Sequence, residues 1–254
     1  GILPIGLFLG MELLAGYFLV SIFLWLPIIA LIVIVLAKRT MAAYREFLLP
    51  LTEKCDPDMA VLVHSYIYSY QWGIRAYVPY TYSINIAEFM YYAGDVQEAL
   101  KFSEMIWNGT RGRGYREKSL WYLHYQHLRY ECFVMLQDKE SARTQREQIE
   151  AFMNRKCKTK SKRLKGMIHS IQHSLYINEL LEAEEWQKCL EVIEKYEQEP
   201  EIKGPTVNGC YTEVLSEFQR YQCLKELGDQ DGALDCRRFV MDHGGGLVWR
   251  KILL

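Results

Sequence analysis

The first 37 residues carry almost no charge: Glu12 is their single ionised side chain, and all 30 lysines and arginines of the 254-residue chain lie beyond them. A stretch so poor in charge cannot form the surface of a globular domain, so the chain divides into two physical parts. The remainder lacks a bias of sign, because residues 38 to 254 hold 30 basic and 30 acidic side chains. No global field then selects nucleic acid or a charged surface, and any electrostatic function must be local. Proline is sparse, at 7 residues, and strand-like alternation is scarce. The seven cysteines, at 55, 132, 157, 189, 210, 223 and 236, form no close C-x-x-C pair. That spacing suits reduced thiols in a cytosolic compartment better than a disulfide framework. No phosphate-cradling glycine loop, nucleophile elbow or kinase signature is present, so nothing argues for an enzyme, and no cofactor is expected.

What is present begins with "LLAGYFLVSIFLWLPIIALIVIVLA", the uncharged run from Leu13 to Ala37. A bilayer-spanning helix needs roughly 20 apolar residues, and this run predicts a single-pass transmembrane helix over 13–37. Lys38, Arg39, Arg45 and Lys54 follow it and nothing basic precedes it, which puts residues 38–254 in the cytoplasm. The expected organisation is an anchor over 1–38, a juxtamembrane linker over 39–56 and a helical domain over 57–254. On that topology Asn108-Gly109-Thr110, which fits a glycosylation acceptor, never meets the machinery and reads as a turn.

Beyond the linker, apolar residues recur at helical spacing. Trp121, Tyr125, Leu128, Cys132 and Met135 form one stripe; Trp186, Leu190, Ile193 and Tyr196 form another. Asp56 followed by Pro57 predicts the start of a leading helix. "GDVQEAL" at 94–100 is echoed by "GDQDGAL" at 228–234, and weaker copies place Asp138 four residues before Ala142 and Glu185 four before Cys189. The intervals between these turns are 43, 47 and 44 residues. Gly94 and Gly228 can end a helix in the left-handed conformation, Asp95 and Asp229 can cap the next one, and Ala99 and Ala233 allow close helix pairing. The pattern predicts four successive helix hairpins, with "HGGGLVWRKILL" covering the last one's exposed face.

"INIAEFMYYAGDVQEALKF" at 84–102 resembles a tetratricopeptide repeat: Ile86 and Ala87 match the large-then-small pair, Gly94 and Asp95 the turn, Val96 the apolar residue after it, and Ala99 the second-helix alanine. The fourth hairpin keeps the turn but has Arg220 and Tyr221 at the paired positions, and the middle two lack the glycine. "TEKCDPDM" after an apolar span is similar to membrane-anchored repeat proteins of Gram-positive bacteria. The resemblance implies an all-α fold, a right-handed α-solenoid of about four tetratricopeptide-like hairpins behind a transmembrane helix. It implies a scaffold that binds a protein or peptide in its groove. The alternatives are a peptide-responsive regulator, or contact with anionic lipid or RNA through a basic edge.

More than half of the 18 tyrosines fall between 66 and 125, which makes Tyr66, Tyr70, Trp72, Tyr77, Tyr80 and Tyr82 the groove candidates, weighed against plain packing. The basic edge comprises Arg111, Arg113 and Arg116, then Lys156, Lys158, Lys160, Lys162, Arg163 and Lys165; a solvated loop paired with the acidic third hairpin is its simpler reading, lipid contact the next, and RNA the least favoured. His169 and His173 share a helical face, but the intervening residues lack the glutamate of a zinc hydrolase, so no metal site is expected. His124 and His127 read as packing or groove residues, and Cys132, Cys189, Cys223 and Cys236 as buried small hydrophobes.

Overall fold

The computed structural model describes residues 25–32, 34–35, 38–39, 54–70, 79–110, 120–156, 161–198 and 210–254, with the backbone alone for 66–70, 79–83, 106–110, 120, 163 and 210. The chain forms two compact units, Gly1–Phe47 and Leu48–Leu254.

In the first unit the continuous described run is helical from residue 25 to 32, with Trp25, Leu26, Ile29 and Leu31 exposed. Among the described residues no helix is long and apolar enough to cross a membrane. The expected spanning helix over 13–37 does not hold on that finding, and the ground for placing residues 38–254 in the cytoplasm goes with it. Residues 13–24, 33, 36 and 37 of the expected span lie outside the described residues.

The second unit is all-helical among its described residues. Its helices are α1 (Pro57–Tyr70), α2 (Pro79–Ala93), α3 (Val96–Thr110), α4 (Leu120–Met135), α5 (Lys139–Lys156), α6 (Lys162–Glu182), α7 (Trp186–Gln198), α8 (Cys210–Leu227), α9 (Gln230–His243) and α10 (Val248–Leu253). Asn108 to Thr110 form the end of α3 rather than the expected turn. At α1 the Asp56 carboxylate accepts the Met59 amide at 3.0 Å, with Pro57 at the first helical position.

The hairpins α2–α3, α4–α5, α6–α7 and α8–α9 share one turn. In the first, Gly94 N–H donates to Tyr91 O at 3.0 Å and Asp95 N–H to Met90 O at 2.9 Å. The same pair of bonds recurs as Gln137 to Val134 with Asp138 to Phe133, Glu184 to Leu181 with Glu185 to Leu180, and Gly228 to Lys225 with Asp229 to Leu224. This is the Schellman arrangement, which satisfies the last carbonyls of a helix by one left-handed residue. That residue has φ of +92° at Gly94, +58° at Gln137, +58° at Glu184 and +82° at Gly228. Two non-glycine residues therefore accept a conformation costing about 1–2 kcal/mol, because the bonds and the packing on either side dictate it. Asp138 and Asp229 then cap α5 and α9 through the amides of Ser141 and Gly232. Ala99, Ala142, Cys189 and Ala233, four residues into each turn, are all buried, and each donates its amide to the cap carbonyl.

Four apolar clusters join each hairpin to the next. Ala87, Val96 and Ala99 meet Leu128 and Cys132 of α4; Leu123, Ile149 and Phe152 meet Leu164 and Ile171 of α6; Ile177, Cys189 and Ile193 meet Cys223 of α8. The fourth cluster sets Val214, Phe218 and Val240 of the last hairpin against Ala60 of α1, Phe89 of α2 and the tail residues Leu247, Val248 and Trp249. Tyr92 of α2 lies 5.0 Å from the Tyr211 ring and 5.7 Å from the Trp249 ring. In an open solenoid each repeat touches only its neighbours. Here the first and last hairpins share a core, so the expected right-handed solenoid with an open concave groove gives way to a closed circuit of hairpins. The tail is the physical cause: it packs on α2 and α8 as well as on α9, Lys251 Nζ donates to Ala93 O at 2.7 Å, and Gly246 N–H to Cys55 O at 2.9 Å.

Cys55, fully buried at this junction, is disulfide-bonded, which corrects the expectation of uniformly reduced cysteines. Cys132, Cys189, Cys223 and Cys236 are free and buried.

Candidate partner-binding cleft

Tyr66 and Tyr70 lie on α1, and Tyr80 and Tyr82 on α2, as backbone positions. Trp72, Tyr77, Arg111, Arg113, Arg116, Lys158 and Lys160 lie outside the described residues. Lys156 ends α5 half-buried, Lys162 and Lys165 are exposed on the first turn of α6, and Arg163 is placed there by its backbone. Of the third hairpin's glutamates, Glu179 pairs with Arg146 at 2.7 Å, Glu182 with Lys139 at 3.1 Å, and Glu197 with Arg220.

The titratable groups that the structure does assemble lie between α2 and α4 and between α4 and α6. Glu88 meets His124 at 3.5 Å and accepts the Tyr92 hydroxyl at 3.0 Å. Burial raises the Glu88 carboxyl, but the His124 charge and hydrogen bond, with the Tyr92 bond, outweigh it and leave the group below its ordinary value. Burial likewise lowers His124, and the Glu88 carboxylate more than reverses it. Two turns along α4, Glu131 takes the Ser174 hydroxyl at 2.6 Å, the Asn178 amide at 3.3 Å and His127 Nε2 at 3.1 Å. His127 Nε2 also lies 3.2 Å from Ser174 Oγ. Serine and carboxylate thus meet the same ring nitrogen, whereas a nucleophile relay needs them on opposite nitrogens. The arrangement can tie α4 to α6; it does not activate Ser174. His169 and His173 stack on Tyr196, with ring centroids at 5.7 and 3.8 Å. No group of three or more His, Cys, Asp or Glu side chains suited to a metal ion occurs among the described residues.

Away from these polar contacts lies a cleft of about 360 Å³. Its walls are Leu181 at the end of α6, Trp186 at the start of α7, Phe218 and Tyr221 on α8, and Ile252 and Leu253 on α10; Gln222, Lys225 and Glu226 stand at its polar side. Ile252 in the wall is 53% exposed, and Leu227 and Leu254, each next in the chain to a cleft residue, are exposed as well. Trp186 belongs to a stripe visible in the sequence, but the tail residues opposite it join the site only because the circuit closes.

Comparison with protein-family models, curated proteins and solved structures finds no match to this chain.

Proposed function

We propose that the helical unit is an interaction module whose cleft between α6–α7, α8 and α10 takes the apolar side chains of a protein or peptide partner. The observation that carries this reading is the cleft itself: aromatic and aliphatic walls, with Ile252 half exposed, and a polar side bearing one lysine and one glutamate. At about 360 Å³ it stands at the small end of ligand pockets, which run from roughly 300 to 1,000 Å³. That size suits one or two anchoring side chains with the rest of the partner lying over the apolar surface outside. Charges of both signs at Lys225 and Glu226 fix orientation rather than attract a strongly charged ligand.

The test selects random twelve-residue peptides on the full chain and measures their affinity by fluorescence anisotropy. Tyr221→Ala and Ile252→Asp are expected to weaken the selected peptide at least tenfold, the size of an anchor contact of about 1.4 kcal/mol. Leu62→Ala, an exposed substitution on α1, leaves affinity unchanged. Equal binding to the wild type and both cleft variants would overturn the assignment.

A further inference from the structure

The tail that closes the circuit also forms one wall of the cleft. α10 has six residues, and an isolated helix shorter than about 12 residues is marginal in water, so its surroundings hold it. In its first turn Val248 and Trp249 are buried in the cluster shared by the first and last hairpins. Lys251 Nζ donates to Ala93 O at 2.7 Å, which sets a cation at the C-terminal carbonyls of α2. Arg250 Nη1 donates to Gly245 O at 2.8 Å, and Arg237 Nη2 of α9 to Leu253 O at 3.2 Å. In the last turn Ile252 and Leu253 wall the cleft.

Two side chains belong to both places. Phe218 of α8 is buried in the junction cluster, Leu253 packs against that cluster, and both line the cleft. Undocking α10 therefore takes Ile252 and Leu253 out of the wall and strips Phe218 of part of the cluster that fixes it. The cleft and the closed circuit are made by the same event.

We propose that α10 is a strap whose docking is linked to occupation of the cleft: a partner in the cleft locks the last hairpin to the first, and release of the strap releases the partner. The inference rests on the cleft being the binding site. A ligand that binds only the strapped form draws the equilibrium toward it, and any unstrapped fraction lowers the apparent affinity in proportion. The coupling is reciprocal, so it can be read from either end. One end is the Gly246 amide, which donates to Cys55 O at 2.9 Å beside α10 and outside the cleft. The other is Gly245, at φ of +49°, where an added Cβ would stand 2.5 Å from both Lys54 O and Cys55 O. Those are backbone atoms that cannot rotate away, so Gly245→Ala lifts the strap without touching a cleft residue.

The experiment uses the full chain and the selected peptide that Tyr221→Ala weakens. With peptide at 100 times its Kd, the Gly246 amide is expected to exchange about 100-fold more slowly than in the free protein. The amides of Gln137 and Asp138, in the turn of the second hairpin, should slow by less than about twofold. Gly245→Ala is expected to weaken the peptide at least about fivefold. Lys251→Met removes the bond to Ala93 O; it should speed Gly246 exchange at least about tenfold in the free protein, and the peptide should reverse that. The lysine variant decides the question if Gly245→Ala does not fold. Slowing at Gly246 no greater than at Gln137 and Asp138, or wild-type affinity in a folded Gly245→Ala, would overturn the strap and leave the cleft as the binding site. Failure to select any peptide sensitive to Tyr221→Ala would overturn the cleft reading and the strap with it.

Discussion

Substituting alanine at Gly94 and at Gly228 separates the local cost of a turn from the cost of undocking the tail. Both residues hold the left-handed position of the same hydrogen-bonded turn, at φ of +92° and +82°. An L-residue there loses about 1–2 kcal/mol, offset by about 0.4–1 kcal/mol because alanine is less flexible than glycine when unfolded. At Gly228 nothing lies within 4 Å of an added Cβ, so Gly228→Ala should destabilise by about 1 kcal/mol in all. At Gly94 the same Cβ would stand 3.1 Å from Val248 Cγ2. Val248 is buried in the cluster that closes the circuit and cannot swing into solvent. Overpacking of this kind costs at least about 1 kcal/mol more, so Gly94→Ala should cost about 2 kcal/mol. Urea unfolding followed by circular dichroism gives the totals. Hydrogen exchange locates the difference: in Gly94→Ala the amide of Gly246, bonded to Cys55 O, exchanges faster, and in Gly228→Ala it does not. Adding Val248→Ala to each variant completes the test, because it relieves the clash only beside Gly94. Equal destabilisation by the two substitutions, with no change at Gly246, would refute the closed circuit as a packing constraint.

At the two middle turns the opposite change should stabilise: Gln137→Gly and Glu184→Gly each remove left-handed strain at φ of +58° and should add about 0.5–1 kcal/mol, read from the urea midpoint. His64, buried with Nδ1 on Ala60 O at 2.9 Å, has its pKa lowered by burial, which outweighs the carbonyl bond. The unfolded chain then takes up protons near 6.5 that the folded chain refuses, so stability should fall as pH drops below that value, and a pH series of urea midpoints should show an acid limb that His64→Gln flattens. The Glu88–His124 pair behaves with two signs. The raised histidine contributes fully below 6.5 and is lost as pH rises through its folded value, while the lowered carboxylate contributes above 4.5 and is lost on acidification, so the pair is complete between them. Glu88→Gln should lower the His124 titration midpoint measured by NMR.

Several features were legible because their causes are local. The Gly94-Asp95 and Gly228-Asp229 turns, the Asp56-Pro57 helix start and the small buried residues at 99, 142, 189 and 233 all follow from capping and helix geometry within a few residues. Gln137 and Glu184 were harder, because their left-handed conformation is imposed by flanking helices and no glycine advertises it. Tyrosine enrichment is an ambiguous signal for a similar reason: Tyr91 is buried and Tyr92 is half-buried against Tyr211 and Trp249. Here aromatic side chains pack the junction that closes the circuit. The apolar run from Leu13 misled through length alone, since among the described residues no helix is long and apolar enough to cross a membrane.

By itself the sequence determines the helical class, the hairpin spacing of 43, 47 and 44 residues and the small residues that let paired helices approach, since each depends on backbone preferences and neighbours a turn or two away. Only the tertiary structure decides that the tail bridges α2 and α8, that Trp186 and Ile252 wall one cleft, and that Cys189 and Cys223 enter one buried cluster. Those contacts join residues far apart in the chain, and what brings them together is the burial of Val248 and Trp249 between the first and last hairpins.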